Sequence, residues 1–175
     1  MAEQLDQIDR KLIGLLQADA RLSNAELADK VGLTTSSVHE RVKKLEKRGV
    51  ITGYVATVDA EKLGKPMLAF VRATVAAEDH EGTVSFHDRI VAACRAESDI
   101  LECHNVAGED CFIIKVRAES PKDLERILQT IRSTVRSSRS VTNIVLSTYK
   151  ESTRVEPAPA EAQALENPVP REVQA

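Results

Sequence analysis

The chain has 175 residues, of which 42% are hydrophobic and 29% are charged, and its formal net charge is -3. This length is enough to bury one or two small cores, and the slightly acidic balance does not by itself indicate nucleic acid as a partner. No stretch approaches the roughly 20 uninterrupted apolar residues of a membrane span, and the N-terminus lacks a signal peptide pattern, so we expect a cytoplasmic protein without membrane contact.

The first 50 residues show helical spacing and strong helix boundaries. Ser23 and Glu26 have the spacing of a capping box, which marks the start of a second helix after a longer first one. Gly32 permits a sharp turn, and Thr34 is then placed to cap a third helix. Two short helices joined by a glycine turn and braced by a longer helix predict a helix-turn-helix domain over residues 1–50.

The third predicted helix has two unlike sides. Val38, Val42 and Leu45 share one side, which we expect to face the core. On the other side, hydroxyl groups near the helix start allow backbone N–H groups to approach phosphate, while histidine and lysine reach base edges or neutralise phosphates. A solvated amphipathic helix is the structural alternative, but the preceding helix and turn favour a DNA-reading role. The candidate DNA-binding residues are Thr34, Thr35, Ser36, Ser37, His39, Glu40, Arg41, Lys43, Lys44 and Lys47.

The acidic residues of this helix oppose phosphate binding unless they are paired. The expected partners of Glu40 and Glu46 are Lys44 and Arg41 of the same helix.

The spacing of apolar residues changes after the predicted helix-turn-helix domain. Residues 51–58 alternate like a strand, so we assign residues 51–66 to a linker strand that extends a partner's sheet or crosses between subunits. Residues 67–149 then predict strand, helix, strand, strand, helix and strand, with a short turn at 108–110 between the middle strands. This order predicts a ferredoxin-like βαββαβ domain with both helices on one sheet face, and the fold class is α+β.

The second face of that sheet is expected to contact another molecule. Phe70 and Ile113 give it an apolar share, and an apolar sheet face is normally covered. A second copy of the chain is the simplest cover, so we expect at least a dimer.

The C-terminal segment has the composition of a disordered tail. From Glu151 onward it holds four prolines and five glutamates and no aromatic residue. Such a segment cannot bury enough apolar surface to offset its chain entropy, so residues 150–175 are predicted to be disordered.

The chain shows no pattern typical of catalysis or metal binding. The three cysteines form no C-x-x-C pair, and the four histidines lack the spacing of metal ligands. No nucleophile elbow, phosphate-binding loop or dinucleotide fingerprint occurs. We therefore predict no enzyme activity, no catalytic residue, no metal and no cofactor.

Residues 5–64 resemble the N-terminal signature of the Lrp/AsnC family of transcription regulators, the leucine-responsive or feast and famine proteins. The Leu-Asp pair at 5 and 6, "DARLS", "ELADKVGL", "RVKKLE" and "GVI" fall at the family's spacing, and "VAGEDCFIIKV" continues the resemblance within residues 67–149. The resemblance implies a winged-type helix-turn-helix head and a ferredoxin-like body that senses small metabolites, usually amino acids. It also implies pairing through the sheets and assembly of homodimers into tetramers or octamers.

The resemblance further implies an effector site near the glycine hairpin, between dimers. Local sequence alone favours an exposed turn there, although Glu109 and Asp110 also suit a small cation such as an amino group. Cys111 stands where many members have the acidic residue of the hairpin. The implied effector-binding residues are Asn105, Val106, Gly108, Glu109, Asp110, Ser140 and Thr142.

The leading hypothesis is a sequence-specific regulator that binds double-stranded DNA and responds to an amino acid or similar metabolite at subunit junctions of the C-terminal domain. One alternative is an enzyme on the same scaffold, similar to haem-precursor decarboxylases, which would bind a tetrapyrrole. The other is a stand-alone metabolite-binding adaptor, which would bind an amino acid but not DNA.

Overall fold

The structure, a computed structural model of the chain, describes residues 5–74, 86–108, 112–134 and 139–158. Two compact units are present. The first comprises the chain up to Ala56 together with the described residues from Glu151 onward, and the second is Thr57–Lys150. Within the described residues, no helix is long and apolar enough to cross a membrane.

The described part of the first unit contains the three predicted helices, α1 (Gln7–Ala18), α2 (Asn24–Val31) and α3 (Thr35–Lys47). Each helix begins at a side-chain cap. Asp6 and Ser23 each form a full capping box, and the Thr34 side chain accepts the Ser37 N–H at 3.2 Å. Gly32 ends α2 with φ at +74°, a left-handed conformation that glycine adopts without steric cost.

A single apolar cluster holds these helices together. Its buried members come from one side of each helix, which is the consequence of apolar residues recurring every three or four positions. Leu12 of α1 and Val38 of α3 have no exposed surface, and Leu27 of α2 is 1% exposed. The other buried members are Leu16, Ala28 and Val42. The prediction that Val38, Val42 and Leu45 face the core is confirmed by their burial.

The second unit is an antiparallel sheet with two helices. Its elements are β1 (Met67–Thr74), α4 (Phe86–Ala96), β2 (Ile100–Asn105), β3 (Phe112–Ala118), α5 (Pro121–Thr134) and β4 (Arg139–Ile144). The strand order is β2-β3-β1-β4, which is the order of a ferredoxin-like sheet and confirms the predicted fold class.

Alternate residues of the strands build the core of this unit. Val71 of β1 and Ile114 of β3 are fully buried in one cluster with Ile90 of α4 and Ile127 of α5, so both helices pack on the same sheet face. On the other face Phe70 and Ile113 are half-buried. That face therefore keeps the apolar share expected from the sequence.

Residues 51–66 do not form the predicted strand within this chain. The segment has no strand assignment, and Val55 and Val58 are 83% and 66% exposed. A strand needs a neighbouring backbone for its hydrogen bonds, and local alternation cannot supply one. Crossing to a second subunit stays a prediction.

The start of the predicted tail is described and the remainder is not. Residues 151–158 have no regular secondary structure, and Val155 hydrogen-bonds the Gln17 side chain. Disorder stays a prediction for residues 159–175, which lie outside the described residues.

Candidate functional site

Helix α3 separates its apolar and polar side chains. Because Val38, Val42 and Leu45 are buried, the residues between them point away from the core. The predicted DNA-binding residues that are exposed are Thr34, Thr35, Ser36, Ser37, His39, Glu40, Lys43, Lys44 and Lys47. The structure therefore brings all the predicted residues except Arg41 together on exposed surface of one helix.

The beginning of α3 is lined with hydroxyl groups. Thr34 Oγ1 lies 3.1 Å from Ser36 Oγ and 2.8 Å from Ser37 Oγ. The first N–H groups of a helix have no partner within the helix, and they give this end a partial positive charge. Small hydroxyl side chains leave that end open to a phosphate oxygen.

Arg41 is directed toward α1 and away from the exposed face. Its Nη1 lies 2.7 Å from Asp6 Oδ2 and 2.8 Å from Asp9 Oδ1, the two residues of the α1 capping box. These bonds raise the pKa of Arg41. The Asp9 backbone N–H and, in addition, Arg41 hold the pKa of Asp6 below its ordinary value. Arg41 thus holds α3 to the beginning of α1.

Two residues that sequence reasoning missed contact the exposed face of α3. Asn24 of α2 places its Nδ2 3.3 Å from His39 Nδ1, which orients the imidazole. Tyr54 donates its hydroxyl to Glu46 Oε1 at 2.9 Å, so the partner of Glu46 is a residue after the helix and not the predicted Arg41 or Lys44. Burial and the Glu46 carboxylate raise the pKa of Tyr54 to about 12, which keeps it a donor. Neither contact follows a sequence spacing.

These contacts border a cleft of about 460 Å³ beside α3. Its floor is apolar, with Leu16, Leu27 and Val42, and its rim carries His39 and Lys43. His39 and Lys43 thus place hydrogen-bonding groups beside this cleft.

Asn105 and Ser140, two of the predicted effector residues, lie at one end of the sheet but at opposite edges. Asn105 of β2 pairs with Phe112, Phe112 with Ala73, and Ala73 with Ser140 of β4, so these four residues form one row. Three inter-strand spacings of about 4.8 Å put Asn105 and Ser140 about 14 Å apart. The structure does not bring them together within one chain, because the strand order makes β2 and β4 the two edges.

The neighbours of these residues were also missed by sequence reasoning. His87 of α4 lies 3.5 Å from Asn105 Nδ2, and its ring centroid is 5.1 Å from that of Phe112. At the other edge, Arg132 Nε donates to Ser140 Oγ at 3.3 Å. Each edge therefore combines a polar strand residue with a nitrogen-bearing side chain from a helix.

The remaining predicted effector residues fall at the hairpin and within β4. Val106 is half-buried, and Gly108 has φ at +143°. Thr142 Oγ1 is buried and has no hydrogen-bond partner within the described residues. Glu109 and Asp110 lie outside the described residues.

Comparison with known proteins matches both units. Residues 5–52 match a winged helix-turn-helix DNA-binding domain, and residues 68–155 match the Lrp/AsnC ligand binding domain. The chain is 38% identical over 149 residues to the HTH-type transcriptional regulator LrpA of Mycobacterium tuberculosis, covering 85% of this chain and 95% of that one. It is 38% identical over 144 residues to LrpC of Bacillus subtilis, covering 82% and 93%.

A solved structure extends the similarity to the fold. A feast or famine regulatory protein from M. tuberculosis in complex with L-methionine superposes with a TM-score of 0.79 at 36% identity, covering 88% of this chain and 100% of that chain. The exposed face of α3 and the separate ferredoxin-like unit thus define a DNA-binding transcriptional regulator with a ligand-binding domain. The chain belongs to the Lrp/AsnC family. This membership confirms the prediction of a regulator rather than an enzyme.

Proposed function

We propose that α3 reads duplex DNA through its exposed face, and that an amino acid bound at junctions between copies of the chain regulates this binding. The observation that supports DNA reading is the segregation of α3. Its apolar residues are buried, whereas hydroxyls, His39 and three lysines are exposed on the same helix. A helix that enters the major groove needs this arrangement, because base edges and phosphates are read by polar side chains.

The proposed contacts divide into positioning and reading. The hydroxyl-lined beginning of α3 and the lysines bind backbone phosphates, which fix the helix on the duplex without carrying sequence information. His39 is the residue best placed to read a base, since Asn24 holds one ring nitrogen and leaves the other to the ligand. Arg41 is left out of the proposed interface because it is engaged by Asp6 and Asp9.

We further propose a homodimer that assembles into tetramers or octamers. Apolar side chains stand exposed at the sheet and on the segments that flank it. Val141 and Ile144 of β4 are 37% and 51% exposed, and Leu146 and Tyr149 are 95% and 98% exposed. Apolar surface of this extent is typical of a protein interface. A second copy of the chain is the partner that supplies matching surface by two-fold symmetry.

The proposed effector site lies at the junction of two copies. Asn105 and Ser140 are separated by three strand spacings, about 14 Å, which is longer than a free amino acid, so one such molecule cannot contact both across one sheet. If the β2 edge with Asn105 and the β4 edge with Ser140 both contact the effector, the two edges must come from different chains. The amino-acid class is supported by the L-methionine complex of a relative with 36% identity. Because operator DNA is the target, the proposal places the protein in the cytoplasm.

DNA binding is tested by fluorescence anisotropy with a duplex from the chain's own upstream region. We expect the binding constant to fall steeply as salt rises, with a log-log slope of about -0.9 for each neutralised phosphate. Scrambled duplex is the control for sequence specificity. Binding that stays constant between low and high salt would contradict phosphate contacts by α3.

Effector binding is tested by thermal shift with each of the twenty amino acids, and assembly by light scattering. An effector at 100 times its dissociation constant raises the free energy of unfolding by about 2.7 kcal/mol. Ser140→Ala should reduce this shift, whereas Lys122→Ala, an exposed residue at the start of α5, should not. A monomer in solution, or the same shift in both variants, would contradict the junction site.

A further inference from the structure

The outer side of α1 carries an extended segment of the same chain. Gln17 Nε2 donates to the Val155 carbonyl at 2.8 Å, and Gln17 Oε1 accepts the Val155 N–H at 2.7 Å. Two turns away on the same helix, Arg10 donates to the carbonyl of Ala158. We propose that this side of α1 is a docking site for residues 151–158, and that the docked segment acts as a strap limiting the motion of the DNA-binding unit.

Gln17 and Arg10 of α1 contact backbone groups of this segment. The Gln17 amide engages both hydrogen-bonding groups of one residue, as a neighbouring strand does, and Arg10 contacts a third backbone group. Pro157 lies between the two contacted positions, and its fixed φ reduces the entropy lost when the segment is held extended. Val155 itself is 73% exposed, so its side chain adds little.

The occupant is set by the connectivity of the chain. β4 ends at Ile144, and the chain leaves the second compact unit at Lys150 and joins the first at Glu151. The two units are therefore joined by the covalent chain twice, once after Ala56 and once before Glu151. A docked strap makes the second connection a restraint on α1, which carries Leu12 and Leu16 of the DNA-binding core. The inference goes beyond the proposed function, and only its DNA readout rests on that function.

Hydrogen exchange of the full-length chain tests the docking. The Val155 amide is protected while Gln17 accepts its hydrogen, so Gln17→Ala should accelerate its exchange about tenfold. Gln7→Ala is the matched control, because Gln7 is an exposed glutamine of the same helix. Exchange of the Val155 amide at the rate of an unstructured peptide in the unaltered chain would overturn the proposal.

A second pair of variants separates backbone from side-chain recognition. Val155→Pro removes the N–H that Gln17 accepts, whereas Val155→Ala keeps both backbone groups. We expect residues 151–158 to lose protection in the proline variant and to keep it in the alanine variant. Equal loss in both would show that the valine side chain holds the segment, and would overturn backbone recognition.

Isotope labelling decides whether the strap docks on its own chain. A ¹⁵N-labelled unaltered chain is mixed with excess unlabelled Gln17→Ala chain and allowed to exchange subunits. Docking within one chain predicts that the labelled Val155 amide keeps its protection, because its own Gln17 is intact. Loss of protection would mean that the segment docks on a second copy, and would overturn the assignment.

The restraint itself is measured by DNA affinity. Freeing the strap gives the DNA-binding unit more orientational freedom to lose on binding, so Gln17→Ala and Val155→Pro should each weaken binding about threefold. Gln7→Ala and Val155→Ala should bind like the unaltered chain. Unchanged affinity in the first pair would overturn the restraint. If the unaltered chain bound no DNA, the proposed function would fail, while hydrogen exchange would still decide the docking.

Discussion

Arg41 and Lys43 are cations of the same helix, but alanine at the two positions should affect different properties of the protein. Arg41→Ala removes contacts of 2.7 Å to Asp6 and 2.8 Å to Asp9, which hold α3 to α1. Lys43→Ala removes a charge from the exposed face without breaking a described ion pair. We expect the first change to lower stability and the second to weaken DNA binding.

The burial of the two carboxylates sets the size of the stability effect. The Asp6 side chain is 50% exposed and Arg41 is 34% exposed, so solvent screens that contact and it contributes at most about 1 kcal/mol. The Asp9 side chain is 12% exposed, and without Arg41 its carboxylate is left largely dehydrated and lacks its cation. Together these terms give a loss of about 1–2 kcal/mol in the free energy of unfolding.

Two assays separate the effects. Urea denaturation followed by circular dichroism should show the loss of about 1–2 kcal/mol for Arg41→Ala, and a change within about 0.5 kcal/mol for Lys43→Ala. Anisotropy titrations at several salt concentrations should show a log-log slope shallower by about 0.9 for Lys43→Ala and an unchanged slope for Arg41→Ala. Lys11→Ala, an exposed lysine of α1, is the control for both.

The opposite pattern would refute the reasoning. If Arg41→Ala lost one phosphate contact and kept its stability, Arg41 would leave the two aspartates and bind DNA in the complex. The ion pairs with Asp6 and Asp9 would then form only in the absence of DNA, and they would not be what holds α3 to α1.

Three further predictions concern backbone conformation, pH and the reading residue. Gly32→Ala should lower the melting temperature, because Gly32 has φ at +74° and an alanine there costs roughly 1 kcal/mol in the free energy of unfolding. Gly14→Ala should raise the melting temperature, with a gain of roughly 1 kcal/mol in the free energy of unfolding, because Gly14 is helical and an added Cβ meets nothing within 4 Å. Arg126 holds the pKa of Glu97 below its ordinary 4.5, so this stabilisation is present above that pH and is lost on acidification. The melting temperature of Arg126→Ala should therefore lie below that of the unaltered chain at pH 7. This difference in melting temperature should become smaller as the pH falls from about 5 to 3. A difference that does not change with pH would contradict the ion pair. Asn24→Ala frees the imidazole that it orients and should weaken operator binding two- to tenfold in anisotropy titrations, with unchanged affinity as the contrary result.

Local rules were sufficient wherever the determining contacts lie close in sequence. Ser23 and Glu26 are three residues apart, and their reciprocal capping bonds depend only on that spacing and the backbone between them. The burial of Val38 and Leu45 follows in the same way from the period of the helix. These features allowed the helix-turn-helix and its exposed face to be predicted.

Contacts between distant residues were not predictable in this way. The alternation of residues 51–58 has the period of a strand, but among the described residues this segment pairs with no neighbouring strand. Arg41 has the spacing of a surface cation on α3, yet it lies beside Asp9, 32 positions earlier. No periodic pattern on α3 distinguishes a cation that meets another helix from one that meets solvent.

The sequence by itself determined which residues cap, turn and form apolar stripes, because those properties arise from neighbours within one or two turns of backbone. Only the tertiary structure decided which polar residues meet. The strand order separated Asn105 from Ser140 across the width of the sheet, and the fold joined Gln17 to Val155, 138 positions away. Such pairings arise from the packing of whole elements, and their energies are set by distances and burial that exist only after the chain has folded.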